Sequence, residues 1–418
     1  MATKIENWRE KELSIEEVFD KYKEIPKIVI LKTDVHRRGY ILSEKAQILF
    51  NEGDYQSQAD TIFGKKEGEN KIPIGLIFRD GTSLVGGYLT NYGIRDPYVI
   101  DEIDGKFYLT DNGKVYEEVD FWREPDFYRK KTSKGTPMGE VVNVRPQRLN
   151  VAISRVCHFW DKPGEGCKYC NVGINGIDSV KHGIPDLFDY DEVAEAVAEA
   201  VKQKGRFAMI MVTTGSILTG EHIFDDEVDE IIKAFEKLKP IFKTHDLKVQ
   251  LIASAYDKEQ LKRLKEATGI IGYTSDIEVL NKDLFNWICP GKAAHVGYDE
   301  WKKRIFDAVE IFGEGNVNSG IVGGVELAQP NGFKTEEEAL EKYLAEAEDF
   351  AKHGVPIAYI VWGVCGIFHN QVVPSLDYYV ALAKGLNEIN VKYNLKSYFD
   401  DYRRCGNHPN TDIGRIYW

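Results

Sequence analysis

The sequence predicts an α/β protein whose main part is an incomplete parallel barrel. From residue 148 onward, short strands alternate with amphipathic helices six times. The strands are almost continuously apolar and β-branched, as parallel strands are when both faces of the sheet are buried. Residues before 146 instead combine β-branched runs with hairpin turns, which indicates a β-rich unit. The expected fold is a partial (β/α)6 TIM-type barrel, two units short of the closed form, with a β-rich N-terminal domain and a C-terminal extension.

The composition is that of a globular protein without a large nucleic-acid surface. The chain has 418 residues, of which 43% are hydrophobic and 29% charged, and its net charge is −13. Nucleic acid is not expected as a partner, because phosphate binding depends on clustered Lys and Arg. The polar first residues do not resemble a signal peptide, and no apolar run approaches the ~20 residues that span a bilayer. We therefore expect a soluble cytoplasmic protein with reduced thiols.

The N-terminal domain is expected to cover residues 1–145, including a linker. Ser14 is a plausible N-cap for a short helix, and residues 27–32 (KIVILK) are rich in β-branched residues and predict a strand. Asp104-Gly105 and Asn112-Gly113 supply the positive φ angles that tight hairpin turns need, so residues 98–122 predict a β-meander. Residues 123–147, with several Lys, Gly and Pro, are interpreted as the linker.

The barrel is expected to cover residues 146–385. Its predicted strands are 148–154, 206–214, 248–254, 269–278, 316–326 and 355–362. Several helices between them open on Asp or Thr and close near Lys or Gly, which agrees with N-capping and with the helix dipole. The C-terminal extension, residues 386–418, is aromatic and weakly periodic, and we expect it to pack across one mouth of the barrel.

Three cysteines form the most informative motif. Cys157, Cys167 and Cys170 are spaced C-x9-C-x2-C, and an aromatic residue, Tyr169, stands before the last. In a chain without a secretory signal, thiols this close indicate soft-metal ligands. Three thiolates leave one position open on a four-iron cluster. A zinc site completed by His158 or a distant residue is the structural alternative. The loop follows the first barrel strand, on the face where barrel enzymes keep their active sites.

This stretch resembles the cluster loop of the radical S-adenosylmethionine (SAM) enzymes. That family usually has the spacing C-x3-C-x2-C after the first strand of a six-unit barrel, and the CKYC half matches closely. The longer first interval makes residues 161–166 an insertion. The resemblance implies a [4Fe-4S] cluster on Cys157, Cys167 and Cys170. It also implies that SAM, bound at the open iron, is cleaved reductively to an adenosyl radical in an oxygen-sensitive enzyme.

The resemblance also implies residues around SAM. The second strand ends at the position of the family's Gly-Gly-Glu segment but lacks the Glu, so only the backbone role carries over. The fourth strand ends in polar residues, and the fifth reads S-G-I-V-G-G-V-E against the family's G-x-I-x-G-x-x-E, with Ser319 in place of the first Gly. The candidate SAM-binding residues are Thr214, Gly215, Ser216, Ser275, Glu278, Ile321, Gly323 and Glu326.

The expected activity is radical chemistry on a small organic substrate or cofactor precursor, with an electron donor such as flavodoxin or ferredoxin. Cys405, in RRCGNHP, is a candidate to return a hydrogen atom to a substrate radical. Cys289 and Cys365 are interpreted as buried thiols.

One alternative is a radical SAM methyltransferase using cobalamin or a second SAM. Asp34, His36 and Gly39 spell D-x-H-x-x-G, as in a cobalamin-binding loop, although the following residues lack the α/β pattern of such a domain. The alternative from another class is a zinc-stabilised binding protein.

Overall fold

The computed structural model describes residues 12–60, 66–89, 96–171, 183–245, 248–363, 366–368, 371, 373–395 and 407–416. The helices of the N-terminal part are α1 (Ile15–Lys21), α2 (Lys27–Arg38) and α3 (Glu44–Glu52). Its strands are β1 (Tyr40–Leu42), β2 (Lys66–Glu67), β3 (Asn70–Lys71), β4 (Gly75–Phe78), β5 (Ser83–Val85), β6 (Tyr98–Ile103), β7 (Lys106–Asp111) and β8 (Lys114–Asp120).

The larger N-terminal sheet has the strand order β1-β6-β7-β8-β4-β5, and β2 pairs with β3 separately. The predicted β-meander is confirmed: β6, β7 and β8 pair antiparallel in succession. Asp104, Gly105, Asn112 and Gly113 all have positive φ angles, between 50° and 78°. These are the backbone angles that two-residue hairpin turns require.

The strand predicted for residues 27–32 is wrong, because these residues begin helix α2. Every residue from Val29 to Val35 is buried, so the helix has no exposed face to reveal its period. A short apolar run of this kind does not distinguish a buried helix from a buried strand. The same helix carries Asp34 and His36, with Gly39 at its C-cap, so the cobalamin-like motif does not form a loop after a strand.

The second sheet contains β9 (Val142–Arg145), β10 (Arg148–Ala152), β11 (Met209–Thr213), β12 (Lys248–Ile252), β13 (Gly272–Thr274), β14 (Val317–Gly323) and β15 (Ile357–Val361). From β10 to β15 the neighbours pair parallel in chain order. Strand β9 adds antiparallel to β10, so the end of the predicted linker belongs to this sheet. The sheet is therefore open, with β9 and β15 at its edges.

Helices connect the parallel strands as expected. They are α4 (Tyr190–Ala200), α5 (Asp225–His245), α6 (Lys258–Thr268), α7 (Lys282–Ile288), α8 (Pro290–His295), α9 (Tyr298–Phe312), α10 (Glu336–Lys352) and α11 (Leu376–Lys392), followed by α12 (Pro409–Ile416). Asp189, Asp257 and Thr335 accept backbone N–H hydrogen bonds as N-caps. The two short helices α7 and α8 are additional elements between β13 and α9, and they become important at the site.

The C-terminal segment 407–416 lies along strand edges of both sheets. The Asn410 side chain accepts from Tyr359 N–H (3.2 Å) and donates to Ile357 O (2.8 Å) of β15. The Asn407 side chain pairs in the same way with the N–H and carbonyl of Val85, on edge strand β5. These amides satisfy backbone groups that an edge strand otherwise leaves unpaired. In the described ranges, no helix is long and apolar enough to cross a membrane.

Candidate functional site

The cysteine loop begins where the first parallel strand of the barrel ends. Strand β10 stops at Ala152, and Cys157 precedes a short 3-10 turn formed by residues 158–160. Cys167 is buried, whereas Cys157 and Cys170 are half-buried. The sequence therefore placed this loop correctly at the carboxyl end of the parallel strands, which is the functional face of β/α barrels.

The segment after β11 lies directly against the backbone of the cysteine loop. His158 N–H donates to Ser216 O at 2.9 Å. At Gly215, a Cβ atom would stand 1.9 Å from Val156 O and 2.9 Å from Cys157 Cα. The two backbones can approach this closely only because Gly215 has no side chain. Thr214 N–H donates to Ile252 O of the neighbouring strand β12 at 3.4 Å.

The insertion in the cysteine motif packs against helices α7 and α8. Residues 161–164 are exposed. The insertion then docks: Gly291 N–H donates to Glu165 O at 2.8 Å, and His295 Nε2 lies 2.9 Å from Glu165 Oε2. Just beyond, Lys168 N–H donates to Ile288 O at 3.0 Å. The long first interval of the motif thus gives the loop a docking surface on α7 and α8.

The thiols lie in one region and influence one another. Burial, together with the nearby Cys167, raises the pKa of Cys157 to about 11. A hydrogen bond with Cys289 and burial hold the pKa of Cys167 well above its ordinary value. Within the described ranges, no three His, Cys, Asp or Glu side chains are arranged around a common metal position. By chemistry the donor set suits an iron–sulfur cluster, because it consists of soft thiols, and loading must release their protons.

The end of the fourth parallel strand brings charged side chains to the same face. Lys292 Nζ, on α8, donates to Glu278 Oε1 at 2.9 Å and to Asp276 O at 2.8 Å. Burial would lower the pKa of Lys292, but Glu278 and the thiols raise it above its ordinary value. Burial, together with Glu278, raises the pKa of Asp276 to about 6. His408 of the C-terminal segment lies close enough to oppose that rise.

The fifth-strand motif begins with Ser319 in place of Gly, and the hydroxyl group of this serine makes two hydrogen bonds. Its Oγ donates to Ser275 O at 2.8 Å and accepts from Ile277 N–H at 2.9 Å. The hydroxyl therefore joins β14 to the backbone that continues from β13. Gly320 N–H adds a bond to Asp276 Oδ1 at 2.8 Å, so this strand also orients the Asp276 carboxylate.

The remaining fifth-strand residues are packed inside the protein. Ile321 is buried in β14, and a Cβ atom at Gly323 would lie 2.7 Å from the Tyr359 ring. Glu326 is fully buried, accepting from Gly324 N–H at 2.7 Å and from the Tyr378 hydroxyl. This carboxyl group holds the turn after β14 against α11.

Replacing Glu326 with Gln is expected to remove a pH dependence of stability. Burial raises the pKa of Glu326 from 4.5 to about 7. The folded protein therefore favours the protonated form, and this stabilisation, complete below pH 4.5, is lost as the pH rises through about 7. A Gln side chain can accept from Gly324 N–H and donate to the Tyr378 hydroxyl without ionising.

Urea unfolding at pH 5 and pH 8 measures this effect. The difference in unfolding free energy between the two pH values should be smaller for Glu326→Gln than for the wild type. Glu259→Gln, at an exposed position on α6, is the control and should keep the wild-type difference. Equal pH dependence in all three proteins would contradict an elevated pKa at Glu326.

Glu227, near the start of α5, is a site residue that sequence reasoning missed. It is fully buried and accepts from Ile217 N–H (2.9 Å), from Ser254 N–H (3.2 Å) and from the Tyr256 hydroxyl. Ser254 Oγ also lies 2.8 Å from Ser216 Oγ. Burial raises the pKa of Glu227 to about 7. Glu227 stands in the first turn of α5 beside Asp225 and Asp226. Acidic residues are common in the first turn of a helix, so the local sequence does not distinguish Glu227 as a site residue.

The other sequence-predicted residues have different outcomes. Ser275 and Glu278 lie after β13, Thr214 and Ser216 after β11, and these four positions share the carboxyl face of the sheet with the cysteine loop. Cys405 and Cys365 lie outside the described residues. Lys292 was not singled out from the sequence, although the run Cys-Pro-Gly-Lys at 289–292 was available as a signal.

Comparison with known proteins finds an enzyme that is similar in sequence to this chain. No family model matches the chain. Bacteriochlorophyllide c C-7(1)-hydroxylase of Chlorobaculum limnaeum is 24% identical over 324 residues, which cover 72% of this chain and 73% of the hydroxylase. The aligned stretch is longer than the predicted barrel, so the similarity extends into flanking parts of the chain.

Two solved structures are similar at low identity. A radical SAM methyltransferase from Sphaerobacter thermophilus has a TM-score of 0.41 and 12% identity, covering 95% of this chain and 98% of that one. Methylornithine synthase has a TM-score of 0.36 and 15% identity, covering 64% of this chain and 76% of that one.

Proposed function

Because this chain is a radical S-adenosylmethionine enzyme, we propose that it cleaves SAM reductively and so begins radical chemistry on a small organic substrate. In this proposal Cys157, Cys167 and Cys170 hold a [4Fe-4S] cluster. The observation that carries it is the backbone contact between Gly215 and the cysteine loop. It puts the segment proposed to bind the methionyl part of SAM beside the first proposed cluster ligand.

When bound, the cluster supplies the electron for cleavage of the SAM sulfonium. The chain's own residues supply binding and orientation. Backbone groups of Gly215 and Ser216 are proposed to bind the methionyl amine, and Glu227 keeps this segment in place through Ile217 N–H. Glu278, fixed by Lys292, is the proposed polar contact from the fourth strand. Ile321, Gly323 and Glu326 are proposed to support the SAM site from the fifth strand, where all three are packed inside the protein.

The substrate is proposed to enter at the carboxyl ends of the parallel strands. Asp276 is half-buried there, and His408 of the C-terminal segment lies nearby. The three proposed parts are residues 1–145, 146–385 and 386–418, except that β9 before the first boundary pairs with the barrel sheet and helix α11 crosses the second boundary. The relative named above is a hydroxylase, so hydroxylation is the reaction type to test first. A flavodoxin- or ferredoxin-type donor is the proposed electron source.

Anaerobic reconstitution with iron and sulfide tests this function. The expected product is a brown protein with about four irons per chain. With dithionite as reductant, it should convert SAM to 5′-deoxyadenosine. The cluster-free protein, incubated identically, is the control. A colourless, zinc-containing protein that leaves SAM intact would overturn the proposal in favour of a zinc-stabilised site.

A further inference from the structure

The two faces of the parallel sheet differ in chemistry. Side chains alternate between the faces of a strand, and paired residues of neighbouring strands lie on the same face. The strand registers therefore give one face, called here the polar face, the side chains of Arg148, Asn150, Gln250, Thr274 and Asn318. The opposite face carries fully buried apolar residues, among them Leu149, Val151, Ile210, Val212 and Leu251.

The polar face is accessible from the carboxyl ends of the strands. Thr213, Ile252 and Ile360 lie on this face at or next to the ends of their strands, Asp276 follows β13, and all four are only half-buried. The amide and hydroxyl side chains deeper on the polar face keep 4–7% of their surface exposed, whereas the apolar residues named for the opposite face keep none. The polar face therefore lines a cleft that leads inward from the proposed site.

Hydrogen bonds connect the polar side chains across this cleft. Arg148 Nη1 donates to Gln250 Oε1 at 3.1 Å, and Gln250 Nε2 donates to Thr274 Oγ1 at 3.0 Å. Thr274 Oγ1 in turn donates to Asn318 Oδ1. The row of bonds runs from β10 to β14, and it holds the guanidinium group of Arg148 over the polar face.

Arg148 is a buried cation with unused hydrogen-bond donors. It is 4% exposed, and in the described part of the chain only its Nη1 group has a hydrogen-bond partner, while Nε is buried without one. No described carboxylate forms an ion pair with it. A guanidinium is always charged, and burying a charge without an opposite charge costs free energy. These properties indicate that Arg148 binds an anionic group of a ligand.

A carboxylate fits the cleft better than a phosphate. Arg145 and Lys248 lie on the same face at the amino ends of the sheet and favour anions in general, but Arg148 is the buried cation beside the amide and hydroxyl groups. A carboxylate carries one negative charge and matches the planar fork of a guanidinium, whereas a phosphate group carries about −1.5 to −2. The neighbouring Met211 and Ile252 suit a hydrocarbon portion of the same ligand.

We propose, building on the function proposed above, that this cleft binds the substrate and that Arg148 binds a carboxylate group of it. The rest of the substrate extends along Met211 and Ile252 toward the carboxyl ends of the strands. A strand advances ~3.3 Å per residue, so the step from Gln250 to Ile252 puts the carboxylate about 7 Å below the mouth of the cleft. The substrate class is an organic acid whose reacting carbon lies several bonds from its carboxylate.

Hexanoate is the probe that tests this proposal, and hexanamide, which has the same shape without the charge, is its control. Isothermal titration calorimetry on the full-length protein gives both affinities. The wild type should bind hexanoate at least tenfold more tightly, because hydrogen bonds to a charged group are stronger than neutral ones. Arg148→Met should bind the two compounds equally. Arg263→Met, at an exposed position on α6, should keep the wild-type preference.

Three results would overturn the proposal. Equal affinity of the wild type for hexanoate and hexanamide means that no cation in the cleft recognises the carboxylate. An undiminished preference in folded Arg148→Met means that Arg148 is not that cation. Tighter binding of inorganic phosphate than of hexanoate overturns the assignment to a carboxylate. The first and third comparisons need only the wild type, so they decide the question if the variant does not fold.

The failure of this proposal can be distinguished from the failure of the proposed function. Hexanoate binding requires neither the cluster nor SAM, so it is measured before and after anaerobic reconstitution. A protein that binds hexanoate through Arg148 but leaves SAM intact would refute the proposed function and retain the carboxylate site. A protein that cleaves SAM but does not distinguish hexanoate from hexanamide would refute only the carboxylate site.

Discussion

Replacing Cys167 with alanine is expected to abolish both cluster binding and SAM cleavage. Cys167 is the buried member of the three loop cysteines, and it is one of the three thiols proposed to bind the cluster. Without it, only two of the three proposed thiolate ligands remain to hold the cluster. Iron content should fall from about four per chain to background, and 5′-deoxyadenosine should fall below detection. The same outcome is expected for Cys157→Ala and Cys170→Ala.

Cys289→Ala is the matched control for these variants. It removes a buried thiol that lies outside the cysteine loop, so the protein should keep its iron. If Cys157→Ala retains iron and full cleavage activity, the first ligand has been misassigned. Cys289 would then be the next thiol to test as its replacement.

Replacing Gly215 with alanine is expected to disrupt the site as strongly, although this residue has no functional group. The added Cβ would lie 1.9 Å from Val156 O and 2.9 Å from Cys157 Cα. Both neighbours are backbone atoms, so neither can rotate away as a side chain can. The segment after β11 and the cysteine loop must separate, at a cost of at least the ~1–3 kcal/mol typical of overpacking. SAM affinity and cluster retention should both decrease sharply.

Gly363→Ala is the control for Gly215→Ala. It makes the same chemical change at a position where no heavy atom of the described residues lies within 4 Å of the added Cβ. Urea unfolding gives the stability of both variants, and equilibrium binding of SAM to the reconstituted proteins gives the affinity. Gly363→Ala should retain wild-type stability. Wild-type stability in Gly215→Ala as well would show that the two backbones are not in the close contact described.

The alternation of strands and helices was predictable because parallel strands and amphipathic helices have clear local patterns. Each predicted barrel strand contains an observed strand, from β10 at Arg148–Ala152 to β15 at Ile357–Val361. The hairpin turns of the meander were equally clear, since Asn-Gly and Asp-Gly supply positive φ angles. The cysteine loop was found by its spacing and by its place after the first strand. All of these signals lie within a few consecutive residues.

Helix α2 and strand β9 were missed for local reasons as well. Helix α2 is buried nearly all round, which hides the helical period and leaves a run that resembles a strand. Strand β9 lies in a region rich in Lys, Gly and Pro and is stabilised by its antiparallel pairing with β10. In both cases packing against the rest of the molecule decided a structure that intrinsic preference did not.

The sequence alone determined the class of fold, the cysteine loop and the face of the sheet on which it lies. Only the tertiary structure decided which residues surround that loop: Glu227 behind Ser216, Lys292 beside Glu278, and Cys289 against Cys167. The short helices α7 and α8 bring two of these residues to the loop by docking on its insertion. Such contacts join residues far apart in the chain. They depend on how entire helices and strands pack against one another, and the local sequence around each residue does not contain that information.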